Sequence, residues 1–188
     1  MELPTLMGRR IFGKLAIALL AISAFLSTAC QPAAMFTPTP KTVRTPLRVL
    51  AVETFLADVA QNVAGSRLEI SALLPLGADP HGYEPTPGDV ARVADSEVLI
   101  VNGAGFEAFL EKLLQHAGGK RQVIEATAGL TSRKAREGEV VVSDAGDPHF
   151  WLDPNNVIRY VENLRDGLSQ ADPDGAGTFA ANARAYTE

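Results

Sequence analysis

From residue 47 onward the chain predicts an α/β fold, a mostly parallel open sheet flanked by helices. Three observations carry this reading. Short apolar runs alternate with longer stretches of helical periodicity, the signature of strands joined by crossover helices. The run Val98-Leu99-Ile100-Val101 is apolar at every position, as in a strand covered on both faces of a parallel sheet. A capping residue followed by proline recurs at Thr86-Pro87, Asp153-Pro154 and Asp172-Pro173, each a start signal for a helix.

Taken in order, Leu47 to Val52 reads as a buried strand. Phe55, Val59 and Val63 repeat at helical spacing, and Gly65 closes that helix. Leu68 to Leu74 alternates as a second strand and runs into Pro75. Thr86 caps a helix with Pro87 at its first position, Asp89 in its first turn, and Val90 and Val93 on its inner face. After the strand at 98–101 and the loop Asn102-Gly103-Ala104-Gly105, the positions Phe106, Phe109, Leu110, Leu113 and Leu114 predict a helix ending at Gly118-Gly119. Gln122 to Ala126 is a further short strand, 129–138 a polar loop, and Glu139 to Ser143 another strand. Val157, Val161, Leu164 and Leu168 predict a helix after Pro154. The alanine-rich segment after Pro173 places Phe179, Ala183 and Tyr186 on one face. This last segment reaches Glu188 with no stop signal, so the expectation is that the helix continues in a longer gene product.

Composition narrows the function classes. A length of 188 residues suffices for one domain with a core plus export and tether segments. A net charge of −5 with 46% hydrophobic residues reads as globular, and no basic stripe argues for nucleic acid. Cys30 is the only cysteine, which excludes an intrachain disulfide and a thiolate-rich zinc cluster.

The N-terminus reads as an address. Arg9, Arg10 and Lys14 form a basic region, Leu15 to Leu26 an apolar one, and Ser27-Thr28-Ala29 a small-residue cleavage region before Cys30. Residues 1–30 are therefore expected to be an export signal. Its end resembles a bacterial lipobox, with Ser27 where leucine is usual, which makes Cys30 the expected lipidation site. Gly8 to Lys14 also resembles a twin-arginine motif, so either export route fits. Residues 31–46, with Pro32, Pro38, Pro40 and Pro46, form a tether. The protein is expected at the outer face of a membrane or in the periplasm.

One tripeptide occurs twice, as Asp79-Pro80-His81 and Asp147-Pro148-His149, and these hold two of only three histidines. Proline stiffens each loop, and neutral imidazole is the commonest metal ligand. His81 and His149 are therefore candidate ligands of one metal ion. Both fall after strands, at the sheet edge where open α/β folds bind ligands. Asp79 and Asp147 either orient the imidazoles or serve only as turn residues. His116, in the last turn of its helix, reads as structural.

The stretches Leu74 to Pro87 and Asp147 to Asn155, with Val101 to Glu107 and Asn182 to Tyr186, resemble the zinc- and manganese-uptake solute-binding proteins of bacterial ABC transporters. The resemblance covers residues 47–188. It implies two α/β lobes joined by a long helix, with a divalent transition metal, zinc or manganese, held between them and handed to a membrane permease. It also implies lipid anchoring in many members and no enzymatic activity. His81 and His149 match two of the family's ligands. The other two come from a second lobe, so this chain reads as an N-terminal half: a lobe over 47–171 and the start of the connecting helix over 172–188. Two imidazoles alone make an open, weak site. Three other classes compete. Gly103-Ala104-Gly105-Phe106-Glu107-Ala108 fits the dinucleotide pattern G-x-G-x-x-A, with Glu125 placed for a ribose. It follows a third strand, however, and the export signal points away from cytoplasmic cofactors. A zinc hydrolase lacks the H-E-x-x-H pattern. A metal-dependent surface adhesin is the third.

Overall fold

The computed structural model describes residues 46–132 and 146–188. The export signal expected to end at Cys30, the expected tether up to residue 45, the later part of the loop expected at 129–138 and the strand expected at 139–143 lie outside these residues. Four parallel strands form one sheet: β1 (Val49–Ala51), β2 (Ile70–Ala72), β3 (Val98–Val101) and β4 (Gln122–Glu125), in the order β2-β1-β3-β4. Val49 pairs with Ile70 on one side and Val98 on the other, and Val98 pairs in turn with Gln122. The β1–β2 pairing runs past the strand ends through Leu73 N–H to Ala51 O (2.7 Å) and Leu74 N–H to Val52 O (2.9 Å).

Side chains alternate across the sheet, so each continuous apolar run feeds two cores. Val49, Ala51, Val98, Ile100 and Ile124 face one layer of helices: α1 (Thr54–Ala64), α4 (Pro154–Ala171) and α5 (Ala176–Thr187). Leu56, Val63, Tyr160, Leu164, Leu168 and Phe179 fill that layer. Leu50, Val52, Leu99 and Val101 face the other, where Val93 of α2 (Pro87–Asp95) and Leu113 of α3 (Leu110–Ala117) cover them. The result is a three-layer α/β sandwich, as the alternation of patterns predicts. Among the described residues no helix is long and apolar enough to cross a membrane.

The start signals work as their chemistry requires. Thr86 Oγ1 accepts the Asp89 N–H while Asp89 Oδ2 accepts the Thr86 N–H at 2.8 Å, a reciprocal box around Pro87. Burial raises the Asp89 pKa, but hydrogen bonds from Thr86 and Tyr83 outweigh it and hold the carboxyl below its usual range. Asp153 Oδ1 accepts the Asn155 N–H to open α4. At Asp172 the device differs. Its carboxylate takes a two-pronged bond from Arg67 (2.6 and 2.9 Å), and a 3₁₀ turn over Pro173–Gly175 precedes α5. Phe179 and Ala183 are buried as expected, but Tyr186 stays exposed.

One element needs correction. The helix expected from Phe106 begins only at Leu110. Gly103, Ala104 and Gly105 all adopt positive φ (85°, 53° and 76°), which winds the chain into turns rather than a helix. Phe106 and Phe109 are still buried, so the periodicity marks a real apolar face carried partly by a loop.

Candidate functional site

Two loops meet at the carboxyl edge of the sheet. One leaves β2 and carries His81; the other enters α4 through a 3₁₀ turn (Phe150–Leu152) and carries His149. Although 68 positions apart, the two Nε2 atoms lie 3.2 Å from each other. The loops are fixed from below. Tyr83 donates its hydroxyl proton to Asp89 Oδ2 (2.8 Å) and packs edge-on against Phe109, tying the first loop to α2. Asn102, fully buried at the end of β3, donates from Nδ2 to Pro148 O (3.1 Å) and accepts the Tyr160 hydroxyl at Oδ1 (2.5 Å), tying the second loop to the core.

Aromatic rings set the imidazole orientations. Phe106 lies edge-on to both His81 and His149, with centroids 5.0 and 5.4 Å away, and also against Trp151. Trp151 packs beside His149 and stacks on Phe55. Together with Glu53, Leu74 and Pro80 these residues line a pocket of about 270 Å³.

The two aspartates of the repeated tripeptide hold different positions. Asp147 Oδ1 accepts both the His149 backbone N–H (3.1 Å) and the ring Nδ1–H (2.8 Å). That bond places the ring proton on Nδ1 and leaves the Nε2 lone pair facing the pocket. His81 Nε2 is then the donor in the contact between the rings. Asp79 Oδ1 accepts the His81 backbone N–H (3.0 Å), the Asx-turn geometry. His116 stays away from the site, with Nδ1 2.6 Å from Lys112 O. Among the described residues no three His, Cys, Asp or Glu side chains gather closely enough to hold one ion. The described residues thus present two converging imidazoles.

The loop Gly103 to Glu107 shows why the dinucleotide pattern does not operate. A phosphate site needs free backbone N–H groups and an immediate helix N-terminus. Here Glu107 Oε1 and Oε2 take the N–H groups of Asn102 (2.5 Å) and Gly103 (3.1 Å), and α3 starts later. Glycine is favoured at 103 in any case, since its φ of 85° is strained for any residue with a Cβ.

Sequence reasoning passes over two buried groups at this edge. Asn102 reads only as the start of a loop, yet it links β3, α4 and the His149 loop. Glu53 lies two positions past the end of β1 and is 3% exposed. Burial, with the nearby Glu107 charge adding to it, pushes the Glu53 carboxyl up to about 9. Burial likewise raises Glu107, against its backbone hydrogen bonds, and burial raises the Tyr160 hydroxyl.

Comparison with known proteins gives a consistent picture. The family model described as ZnuA, zinc-uptake complex component A periplasmic, matches residues 49–188. The manganese-binding lipoprotein MntA of Halalkalibacterium halodurans is 39% identical over 142 residues, covering 76% of this chain and 45% of that protein. The iron-binding protein YfeA of Yersinia pestis is 34% identical over 173 residues, covering 92% and 54%. The chain spans about half the length of the curated relatives it matches. Among solved structures, an Mn-bound periplasmic metal binding protein from Candidatus Liberibacter asiaticus superimposes with a TM-score of 0.67 at 26% identity, over 75% of this chain and 52% of that one. Zn(II)-bound AdcA from Streptococcus pneumoniae gives a TM-score of 0.66 at 30% identity, over 76% and 30%.

Proposed function

Because the chain belongs to the ZnuA family of periplasmic zinc-uptake components, we propose that it captures a divalent transition metal outside the cytoplasm, with His81 and His149 as ligands, and hands it to an ABC permease. The observation that carries this is the 3.2 Å approach of the two Nε2 atoms. With zinc–nitrogen bonds of about 2.0–2.1 Å at a tetrahedral angle, two ligand nitrogens stand about 3.3 Å apart. The pair therefore stands near the separation a single ion needs. Binding asks for both Nε2 lone pairs. His149 offers its own through the Asp147 bond, and His81 must move its proton from Nε2 to Nδ1.

The metal is cargo, held by exchangeable nitrogen ligands rather than built into the fold. Two imidazoles suit zinc, and oxygen ligands added from elsewhere would favour manganese. The relatives' names include manganese-binding and iron-binding proteins, which supports a transition metal as the class. MntA is a lipoprotein by name. This supports acylation at Cys30, with residues 31–46 as the tether and 47–171 as the metal-binding lobe.

Zinc titration by calorimetry tests the reading. One ion should bind per chain, and His81→Ala and His149→Ala should each weaken it by more than tenfold. Unchanged binding in either variant would remove that histidine from the site.

A further inference from the structure

We propose that Glu53 is a further contact for the captured cation, reached through a water molecule on the ion; this rests on the two-histidine reading above. Glu53 sits at the carboxyl end of β1 and lines the same pocket as both histidines. It is 3% exposed, and neither carboxyl oxygen has a hydrogen-bond partner among the described residues. It occupies the capping position of α1 but makes no side-chain cap bond.

An unsatisfied buried polar group is rare, because leaving it unpaired costs about 1–3 kcal/mol. The neighbouring groups supply no donor to it: the Glu107 carboxylate, which also takes the Asn102 and Gly103 N–H groups, can only accept the Glu53 acid proton, and the Tyr160 hydroxyl is given to Asn102. The pocket is where a partner is expected to arrive. Glu53 does not group with both histidines closely enough to join them as a direct ligand. A divalent ion on the two imidazoles keeps water at its remaining positions, and such water is a strongly polarised donor. Glu53 accepts that hydrogen bond through a carboxyl oxygen that the fold leaves without a donor. The acid thereby recognises a hydrated cation and stays orphaned without one.

Two substitutions in the full chain test this. Glu53→Met removes the acceptor and keeps the volume; Glu53→Gln keeps a carbonyl acceptor. Zinc and manganese affinities are read by calorimetry and metal-free stability by thermal denaturation. The expected result for Glu53→Met is about tenfold weaker binding together with metal-free stability equal to or above wild type. Glu53→Gln should recover most of the lost affinity. Wild-type affinity in Glu53→Met overturns the proposal, as does a loss of affinity that tracks a loss of metal-free stability, or no recovery in Glu53→Gln. His149→Ala serves as the control. If it abolishes binding while Glu53→Met leaves binding intact, only the role of Glu53 fails; if it leaves binding intact, the histidine reading itself fails.

Discussion

Asp147→Ala separates two frames that are identical in sequence. In the structure Asp147 Oδ1 holds the His149 ring through Nδ1 at 2.8 Å and its backbone N–H at 3.1 Å. Once a metal withdraws charge from the ring, the ring bond becomes charge-assisted. Removing such an outer partner of a metal-bound histidine costs about 10–100-fold in affinity. The His149 and Asp147 side chains are 29% and 30% exposed, so water replaces part of the lost bond and the effect should fall at the lower end, about tenfold. Asp79 accepts the His81 backbone N–H at 3.0 Å, with the ring left to orient by packing. Asp79→Ala should therefore cost less than about threefold, the effect of a slightly looser turn. Both variants should remain folded, each losing about 1 kcal/mol of stability or less. Zinc calorimetry gives the affinities, and thermal denaturation of the metal-free proteins gives the stabilities. Equal losses in the two variants, or no loss in Asp147→Ala, would refute the assignment of His149 as the oriented imidazole.

Other expectations follow from the packing and the buried acids. Tyr83→Phe removes the hydroxyl that ties the first histidine loop to Asp89 and should lower stability by about 0.5–1.5 kcal/mol in chemical denaturation, with a weaker metal site. A Cβ on Gly167 would come within 2.5 Å of Ile124 Cδ1, so Gly167→Ala should cost about 1–3 kcal/mol, more than its helix-propensity gain of about 1 kcal/mol. In an Ile124→Ala background the same substitution should become neutral or stabilising. Glu53 binds its proton more tightly folded than unfolded, with a folded value of about 9. Its contribution to stability is therefore fully present below the unfolded carboxylate range and is lost as pH rises toward 9, at up to about 1.4 kcal/mol per pH unit. Asp89 acts in the opposite sense, its lowered pKa giving stability that is lost as pH falls through the folded value. Denaturation midpoints of the metal-free protein should thus fall from weakly acidic to alkaline pH, and Glu53→Gln should flatten that slope.

Much of the fold could be read from local chemistry. The Thr86-Pro87 and Asp153-Pro154 starts depend on contacts within three residues, and both act as written. Val98 to Val101 is apolar throughout because both faces of β3 are covered. The false start at Phe106 has a physical origin: two buried phenylalanines satisfy the helical spacing, but three successive positive φ angles and the Glu107 carboxylate hold the segment in turns. Asp172 looks like a third cap, but Arg67, 105 positions away, takes its carboxylate. The candidate site was partly legible, since the repeated Asp-Pro-His frame marks both histidines. Pattern alone could not tell the two aspartates apart, because the ring contact of Asp147 depends on side-chain torsions. Glu53 was invisible for a related reason. An acid after an apolar strand reads as the start of a loop, and only the tertiary fold buries it.

The most direct test of the central claim is a zinc-soaked crystal of the protein with anomalous diffraction recorded at the zinc edge. One ion is expected within about 2.0–2.1 Å of both His81 Nε2 and His149 Nε2. An ion bound to one of these rings alone, or away from both, would contradict it.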